Sequence, residues 1–417
     1  MHVEGHRSIS IAIVSLTLFL FARTADASVG FKAESGWAFS TDGFINAFGV
    51  DQFGNSGPQP ANSAADALGP TTDHNTFRLR TGLLPGLIAF NVASPDIGGL
   101  KLAARVGFYP QIQTNGSRVL SLAPGSNAPA FGSQIDLREA FFTVDGSFGQ
   151  FLAGRALNLF QGKNILTDMT LFGVGVQGAA IGNGGTTAGR IGYGYNYTSF
   201  GAQFRYTTPD FSGLKLALQV GDPNTIDGVL AGGPSATEVR MPEFEAEISY
   251  AGKSGGVGIQ AWVSGLLQKA WLPTGGDVTA AGGAGGIGLN LGGLDLLGSG
   301  FYGKGLGSIF MLQLDALDST GKERDSGGFL AQAAYTVGAT KFGVSYGQNM
   351  KKETAADAAA RATSAEIDTR RSITGGLYHN INSALKLVAE YTWSQTKWFG
   401  GADRSSNIVA LGGFLFW

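Results

Sequence analysis

The feature that most constrains the fold is a two-residue alternation of apolar and polar side chains, interrupted at short intervals by turn residues. About sixteen such segments can be distinguished between residue 36 and the C-terminus at residue 417. This period is typical of β-strands whose two faces meet different surroundings. The chain is therefore predicted to be all-β.

The connections between these segments alternate between short and long. The short ones read SPDIGG, GS, DFSG, GKSG, GGL, GAT and NINS. The long ones, which are rich in Gly, Pro, Asn, Ala and Ser, lie near residues 52–74, 114–132, 158–199, 223–238, 268–280, 305–325, 350–366 and 397–405. A transmembrane antiparallel up-and-down β-barrel has this rhythm of short turns at one end and longer loops at the other. We predict such a barrel with about 16 strands, and fourteen or eighteen would also fit the pattern.

The N-terminus is typical of a secretory signal peptide. Residues 1–8 are polar, Ile9–Ala22 is an uncharged and mostly apolar run of 14, and Ala25–Ala27 fits the A-x-A cleavage pattern. The apolar run is too short to cross a membrane comfortably as a helix. We predict that residues 1–27 are removed and that residues 28–417 form one domain.

Composition agrees with an exported barrel. Gly accounts for 66 of 417 residues, roughly twice its usual share, and the absence of Cys means that disulfides do not stabilise the chain. After residue 22 no apolar run is long enough for a transmembrane helix, and only helices and closed barrels satisfy their backbone groups in lipid. The formal net charge of −2 argues against nucleic acid as a partner.

Two hairpins and the last strand carry a family resemblance. Leu137–Leu157 (LREAFFTVDGSFGQFLAGRAL) joins two strands by a tight turn, and Phe204–Val220 (FRYTTPDFSGLKLALQV) contains an aromatic-x-x-Pro-x-Phe-x-Gly turn. The final strand, Asn407–Trp417 (NIVALGGFLFW), stops on an indole. Together they resemble the sixteen-stranded trimeric general porins of the Gram-negative outer membrane.

The resemblance implies a function and partners. A porin gives small hydrophilic solutes and ions passive diffusion through a charged, water-filled constriction, without a cofactor. It also implies surrounding outer-membrane lipid, a homotrimer, and a third outer loop folded into the barrel, which we place at Asn158–Gly175. Trp417 resembles the terminal aromatic that marks such proteins for membrane insertion. Its strand face, shared with Val409, Leu411 and Leu415, is assigned to lipid.

Alternation also indicates which charged side chains face the lumen, because a charge facing the middle of the bilayer costs roughly 2–4 kcal/mol. The basic side chains assigned to the lumen are Arg78, Arg80, Lys101, Arg105, Arg138, Arg205 and Lys215. Arg155 is added from the resemblance, in which an Arg after this Gly lines the constriction, since Gly154 leaves the alternation uncertain there. A one-residue slip in register would invert any strand's contribution.

Acidic residues are expected on the facing side of the pore. Glu243, Glu245 and Glu247 share one face of the predicted eighth strand and are expected to face water. The inward loop contributes few charges, namely Lys163 and Asp168. A basic arc facing acidic groups sets up a field across the constriction that sorts ions by sign. With one Asp on the loop we expect weak anion selectivity, which the glutamates could reverse; the loop could also pack outside the barrel.

Two other functions remain open at this stage. One is a substrate-selective porin for small anions such as carboxylates, bound by the arginine arc. The other is a non-conducting structural or adhesive barrel. Small side chains predicted to face inward favour an open lumen, and these are Ala103, Ala140, Ala217, Gly343 and Gly376.

An enzyme is disfavoured. Beyond the leader only His74 and His379 remain, on different predicted strands and at opposite ends of the barrel. The G-x-G-x-x-G match at Gly283–Gly288 is followed by a predicted strand, whereas a nucleotide site needs a helix there. No metal-ligand cluster is visible in the sequence. Lys351–Ile367, rich in Ala, Glu, Lys and Arg, is predicted to be a loop helix or a disordered loop.

Overall fold

The computed structural model describes residues 29–54, 59–68, 75–112, 135–178, 186–231 and 233–417. The predicted signal peptide and His74 lie outside the described residues. The strands, in chain order, are β1 Val29–Lys32, β2 Ala38–Phe53, β3 Thr76–Arg80, β4 Leu87–Ala93, β5 Lys101–Pro110, β6 Ile135–Gly146, β7 Gly149–Leu157, β8 Phe200–Thr207, β9 Leu214–Gly221, β10 Ile226–Asp227, β11 Ser235–Ala236, β12 Glu243–Ser254, β13 Val257–Trp271, β14 Asp277–Leu291, β15 Leu294–Lys304, β16 Asp325–Val337, β17 Thr340–Lys351, β18 Ile367–Asn380, β19 Leu385–Trp398 and β20 Asp403–Phe416.

The strands form one closed antiparallel barrel with 16 positions around its wall. β2 closes the ring, because one of its edges pairs with β20 and the other pairs with β3 and β4. β3 and β4 lie in line at one position, and β1 forms a short hairpin with the start of β2. The prediction of an all-β barrel of about 16 strands is confirmed.

The prediction that every second connection is long is only partly right. Residues 272–276 and 399–402, which the sequence pattern places in long loops, are tight turns between extended strands. Each turn contains two consecutive glycines with φ between 93° and 96°. Other residues rarely adopt this conformation, so each glycine pair lets the chain reverse within a few residues.

Two helices lie in the described loops, Gly162–Leu166 and Ala355–Ser364. The second begins with a capping box between Thr354 and Asp357, and it fulfils the helical alternative predicted for Lys351–Ile367. No helix in the described part of the chain is long and apolar enough to cross a membrane.

Side chains alternate between an exposed outer face and a covered inner face of the wall. On β8, Phe204 is 61% exposed, whereas the next residue, Arg205, is 8% exposed. Leu411 and Leu415 on β20 lie on the exposed face, as predicted. The backbone of Trp417 exchanges hydrogen bonds with Gly43 at N···O distances of 3.0 Å, so the chain end is fixed to β2.

Three connections pack inside the barrel, where they form a common apolar core. They are residues 59–68, residues 158–199 (the inward loop, described except for 179–185) and residues 305–324. Tyr197 of the inward loop exchanges backbone hydrogen bonds with Ile309 and Met311. The third outer loop therefore lies inside the barrel, as predicted, and a second loop supports it.

Candidate functional site

The start of the inward loop is anchored by carboxylates on β12. Glu245 accepts hydrogen bonds from the backbone N–H groups of Leu159 and Phe160, at N···O distances of 2.7 and 2.9 Å. The Glu247 carboxylate lies 3.5 Å from the Lys163 ammonium. Because charge-assisted hydrogen bonds are the stronger kind, these contacts fasten the start of the loop to the wall.

This arrangement corrects the expectation that the three glutamates of β12 face the water of the pore. Glu243, Glu245 and Glu247 do point inward, but they are only 1%, 4% and 3% exposed because the loop covers them. Glu243 accepts from the side-chain amides of Asn158 and Asn224. These carboxylates hold the loop and do not contact passing solutes.

A second anchor lies on β19, seven positions further around the ring of 16 and so almost opposite β12. Glu390 accepts from the backbone N–H groups of Val174 and Gly175 at 2.8 and 2.7 Å, and the Tyr378 hydroxyl donates to its other oxygen at 2.6 Å. Sequence reasoning missed Glu390. The one signal in the sequence was a single acidic residue at an inward-facing position of an otherwise neutral stretch of the strand.

Asp168 is a structural residue of the inward loop, which corrects its assignment to the constriction. It is 2% exposed. Its carboxylate accepts from the backbone N–H and hydroxyl of Thr170 at 2.8 and 2.7 Å, and from the Tyr195 hydroxyl at 2.6 Å. These bonds join the two limbs of the loop. The Asp168 carboxylate is therefore buried within the loop and is not accessible to solutes.

Between these two anchors, at β5 and β6, the wall carries its charges as partly exposed ion pairs. Arg105 on β5 lies 2.8 Å from both Asp42 and Glu139, and 22% of its side chain is exposed. Arg138 on β6 pairs with Asp136 at 3.0 Å and lies over the ring of Tyr109. Both arginines face the lumen, where the sequence pattern placed them.

The other predicted lumenal cations differ in accessibility. Arg80 is 6% exposed and donates to the Thr186 carbonyl in the inward loop. Arg205 donates to the Leu157 carbonyl and to Gln219. Of the remaining three, Arg78 and Lys101 are exposed, and Lys215, at the start of β9, is 3.8 Å from Asp210.

Arg155 does not line the lumen, and this corrects the role carried over from the resemblance. It pairs across the sheet with Ala140 and Ala202, in the alternation that places Phe142 and Phe204 on the exposed face. The strand pairing of β7 continues through Gly154 without a register shift, so the expected inward turn does not occur. The Arg155 Nε instead donates to the Leu137 carbonyl.

The same pairing corrects the list of small inward side chains. Ala140 lies in the outward row with Arg155. Gly343 does point inward, but a side chain there would lie 2.9 Å from the sulfur of Met169, so this glycine makes room for the inward loop. Small residues on the inner face therefore accommodate packed loops and are not in themselves a sign of open space.

A lumenal cation that sequence reasoning did not select is Lys386 on β19. Its Nζ lies 4.5 Å from the ring centroid of Phe172 in the inward loop and 5.6 Å from that of Phe416. Lys341, two strands away, pairs with Asp295 at 3.0 Å. Within the described ranges no carboxylate lies within 4.0 Å of the Lys386 ammonium.

The long-loop end of the barrel is held by a chain of buried ion pairs. They join Asp66 to Arg370, Asp315 to Lys351, Lys351 to Glu366, Glu366 to Arg324, and Arg324 to Asp357, at N···O distances between 2.7 and 3.2 Å. Burial alone would raise the pKa of Asp66, but the Arg370 charge together with hydrogen bonds from Thr396 and the Leu68 backbone outweighs it and holds that pKa below its usual range. The chain links three loops to two wall strands.

The sequence matches the family model of Gram-negative porins over residues 22–397. The chain belongs to this family. It is an outer-membrane channel for passive diffusion. No curated protein matches it in sequence.

Solved porins share the fold of this porin at low sequence identity. The outer membrane channel DcaP of Acinetobacter baumannii superposes with a TM-score of 0.66 at 15% identity, covering 93% of this chain and 100% of that one. An anion-selective porin from Comamonas acidovorans gives 0.59 at 15%, covering 91% and 100%. OmpF of Salmonella typhi, in complex with daunomycin, gives 0.54 at 15%, covering 93% and 100%.

Membership of the family gives the porin its direction in the membrane. Barrels of the outer membrane place long loops outside and short turns in the periplasm. The buried ion pairs of the long loops therefore lie at the outer mouth. Lys386, which follows the short turn at residues 381–384, lies towards the periplasmic mouth.

Proposed function

We propose that this porin passes small anions in modest preference to cations. The observation that carries the proposal is that several basic side chains of the lumen are more exposed to solvent than the acidic ones. The four acidic groups assigned to the pore from sequence are at most 4% exposed. Arg105 and Lys163 each keep 22% of their side chains exposed. Exposed charge attracts mobile ions of the opposite sign.

The preference is weak because exposed acids accompany the exposed bases. Asp42 and Asp136 are 36% and 41% exposed, and they pair with Arg105 and Arg138. The residues proposed to line the channel and set its field are Arg78, Lys101, Arg105, Arg138, Lys163 and Lys215, whereas Arg80 and Arg205, at 6% and 8% exposed, are covered like the acids. Solutes would cross down their gradient without a catalytic step.

The test is the reversal potential of single channels in a planar bilayer under a potassium chloride gradient. We expect stepwise conductance with a reversal potential displaced towards the chloride equilibrium. Displacement towards the potassium equilibrium would overturn the proposal, since it would show that the carboxylates dominate the field. The matched control is Lys215→Gln, because this lysine lies at the end of a strand and its loss should move the potential less than Arg105→Gln.

We also propose that the protein is a homotrimer and that the wall around Arg155 faces a neighbouring copy. β7, β8 and β9 have only 9, 8 and 8 residues, whereas β13 and β14 have 15 each. A transmembrane strand needs about 9–11 residues, and an outward Arg in lipid costs roughly 2–4 kcal/mol. Arg155→Glu should weaken a trimer seen by native electrophoresis, whereas Lys253→Glu, on the exposed rim, should not. An unchanged trimer would contradict this assignment.

We also propose roles for the two ends of the chain. Trp417 is proposed to be part of the membrane-insertion signal, and residues 1–27 to be the removed leader. Deleting Trp417 should lower the amount of barrel in the outer membrane, with Phe as a replacement restoring it. Mass analysis of the mature protein tests cleavage before Ser28. An intact N-terminus would contradict the leader assignment.

A further inference from the structure

Lys386 differs in what neutralises it from several other cations of the lumen. Five of them have a carboxylate within 4.0 Å, and these are Arg105, Arg138, Lys163, Lys215 and Lys341. In the described part of the chain Lys386 has none, and its ammonium lies on aromatic rings instead. Rings attract a cation through their quadrupole but leave its net charge in place. Among the described residues, no carboxylate offsets the charge of Lys386, so an anion can pair with its ammonium.

The aromatic surface beneath Lys386 is continuous. Phe414 and Phe416 stack at 5.6 Å with an interplanar angle of 12°. Phe172 meets both of them edge to face, at 5.6 and 5.9 Å. Phe414 and Phe416 are buried, whereas Phe172 and Lys386 are half-buried. The part of this surface that remains accessible is thus a phenyl ring beside an ammonium.

The wall holds this pair in place. Lys386 and Glu390 lie four residues apart on β19 and share its inner face. Glu390 fixes the backbone of Val174 and Gly175, two and three residues beyond Phe172. The same strand therefore supplies the cation and seats the ring next to it. A preformed site loses little conformational freedom when a ligand binds.

We propose that Lys386 and Phe172 form a subsite for small organic anions that carry an apolar or aromatic body. The proposal rests on the anion preference proposed above and deepens it. The ammonium takes the carboxylate of the solute, and the solute's hydrocarbon part lies against the phenyl ring. A hydrated chloride ion gains the charge but not the apolar contact. Lys386 and Phe172 thus determine which anions pass most readily near the periplasmic mouth.

The experiment compares benzoate with acetate in planar bilayers. Reversal potentials under gradients of potassium benzoate, acetate and chloride give the permeability of each anion relative to potassium. The wild-type channel should pass benzoate at least as readily as the smaller acetate. Lys386→Gln should lower the benzoate-to-acetate ratio by about two- to fivefold, the range expected for loss of one cation–π or charge contact.

Three further variants separate a subsite from a general charge effect. Phe172→Leu should lower the benzoate-to-acetate ratio while the chloride-to-potassium ratio stays near the wild-type value. Lys341→Gln removes one charge nearby, so it should change the chloride-to-potassium ratio but not the benzoate-to-acetate ratio. Lys386→Arg keeps both the charge and the ring contact and should retain the wild-type ratio. Retention of the ratio by this variant also reports that changes at position 386 allow the barrel to assemble.

The outcomes distinguish the two proposals. A wild-type channel that prefers potassium to chloride overturns the proposed anion preference. A chloride-preferring wild type whose benzoate-to-acetate ratio is unaffected by Lys386→Gln and Phe172→Leu overturns only the subsite. An equal fall in that ratio in Lys341→Gln also overturns it, because the effect would then follow net charge. If Lys386→Gln does not assemble, Phe172→Leu alone decides.

Discussion

The two halves of the lumen wall carry charge in different ways. From β2 to β9, arginines and acids form ion pairs whose side chains stay partly exposed, as with Arg105 and Asp42. From β12 to β19, Glu245 and Glu390 are buried and accept hydrogen bonds from the inward loop, whereas Asp295, near the short-turn end, stays partly exposed in its pair with Lys341. A charged residue on the inner face of a barrel therefore contributes to the pore only where no loop covers it.

The difference follows from what each side chain can bond. A carboxylate accepts two or more hydrogen bonds, and the N–H groups of a loop that leaves regular structure need acceptors. A guanidinium only donates, so an arginine on the uncovered wall finds its partners in neighbouring carboxylates. Covered acids thus give the loop its position, and uncovered arginines give the lumen its field.

The largest effect on the position of the inward loop should come from Glu390→Ala. The change leaves the buried N–H groups of Val174 and Gly175 without their hydrogen-bond acceptor. Each such unsatisfied group costs about 1–3 kcal/mol of folding free energy. We expect the far end of the inward loop to leave β19. Single channels should then show larger and noisier conductance. Currents identical to the wild type would mean that Glu390 is not an anchor.

Glu245→Ala should have a smaller effect of the same kind. It also strands two N–H groups, those of Leu159 and Phe160. However, this end of the loop continues directly from β7, and Asn158 adds a backbone bond to Ser199. Channel noise should rise less than in Glu390→Ala. Glu243→Gln is the control, because among the described residues Glu243 bonds the side-chain amides of Asn158 and Asn224 and no backbone N–H of the loop. Equal or greater noise in Glu245→Ala would reverse the ranking of the anchors.

On the uncovered wall, changes should alter selectivity and leave the loop in place. Arg105→Gln leaves Asp42 and Glu139 without their shared cation, so preference for anions should fall. Asp42→Asn removes one negative charge from the same cluster, so preference for anions should rise. The reversal potentials of both variants under the same salt gradient measure these changes in anion preference. Shifts of the same sign would show that the cluster does not set the field.

The smallest effect should be that of mild acid on the outer mouth. Burial alone would raise the pKa of Asp66 and of Asp357, but Arg370 and Arg324 respectively, together with hydrogen bonds from Thr396 and Thr354, hold each pKa below its usual value of 3.8. A depressed pKa means that the ion pairs contribute fully above that value and are lost as the pH falls below it. Protection of the outer loops from protease should be constant from about pH 8 to pH 5. Loss of protease protection within that pH interval would contradict the prediction that these ion pairs stay intact there.

Replacing Lys351 tests whether the pairs hold the mouth at all. In Lys351→Met, Asp315 and Glu366 lose their buried cation, and removing one partner of a buried pair costs about 3–5 kcal/mol. The outer loops should become protease-sensitive at neutral pH. Lys352→Met is the matched control, since Lys352 is mostly exposed and pairs with Asp325 at the surface. Equal sensitivity of the two variants would show that the buried pairs do not lock the loops.

The sequence by itself determined the barrel, because the signals for it are local. A period of two identifies a strand and its two faces, and turn residues between the segments give their number. The outward position of Leu411 and the inward position of Arg105 follow from the same rule. The pattern was unreliable where glycine replaces alternation, as at Gly154 and in the turn at Gly275, and where a register shift between β5 and β6 puts Ala140 on the outer face.

Only the tertiary structure decided what each inward side chain does. Glu245 and Glu390 bond to loop residues 85 and 216 positions away in the chain, and no local pattern records such distances. Whether an inward carboxylate meets water or a loop depends on how that loop packs. The physical reason is that alternation fixes the direction of a side chain, whereas burial and partners depend on what the rest of the chain places in front of it.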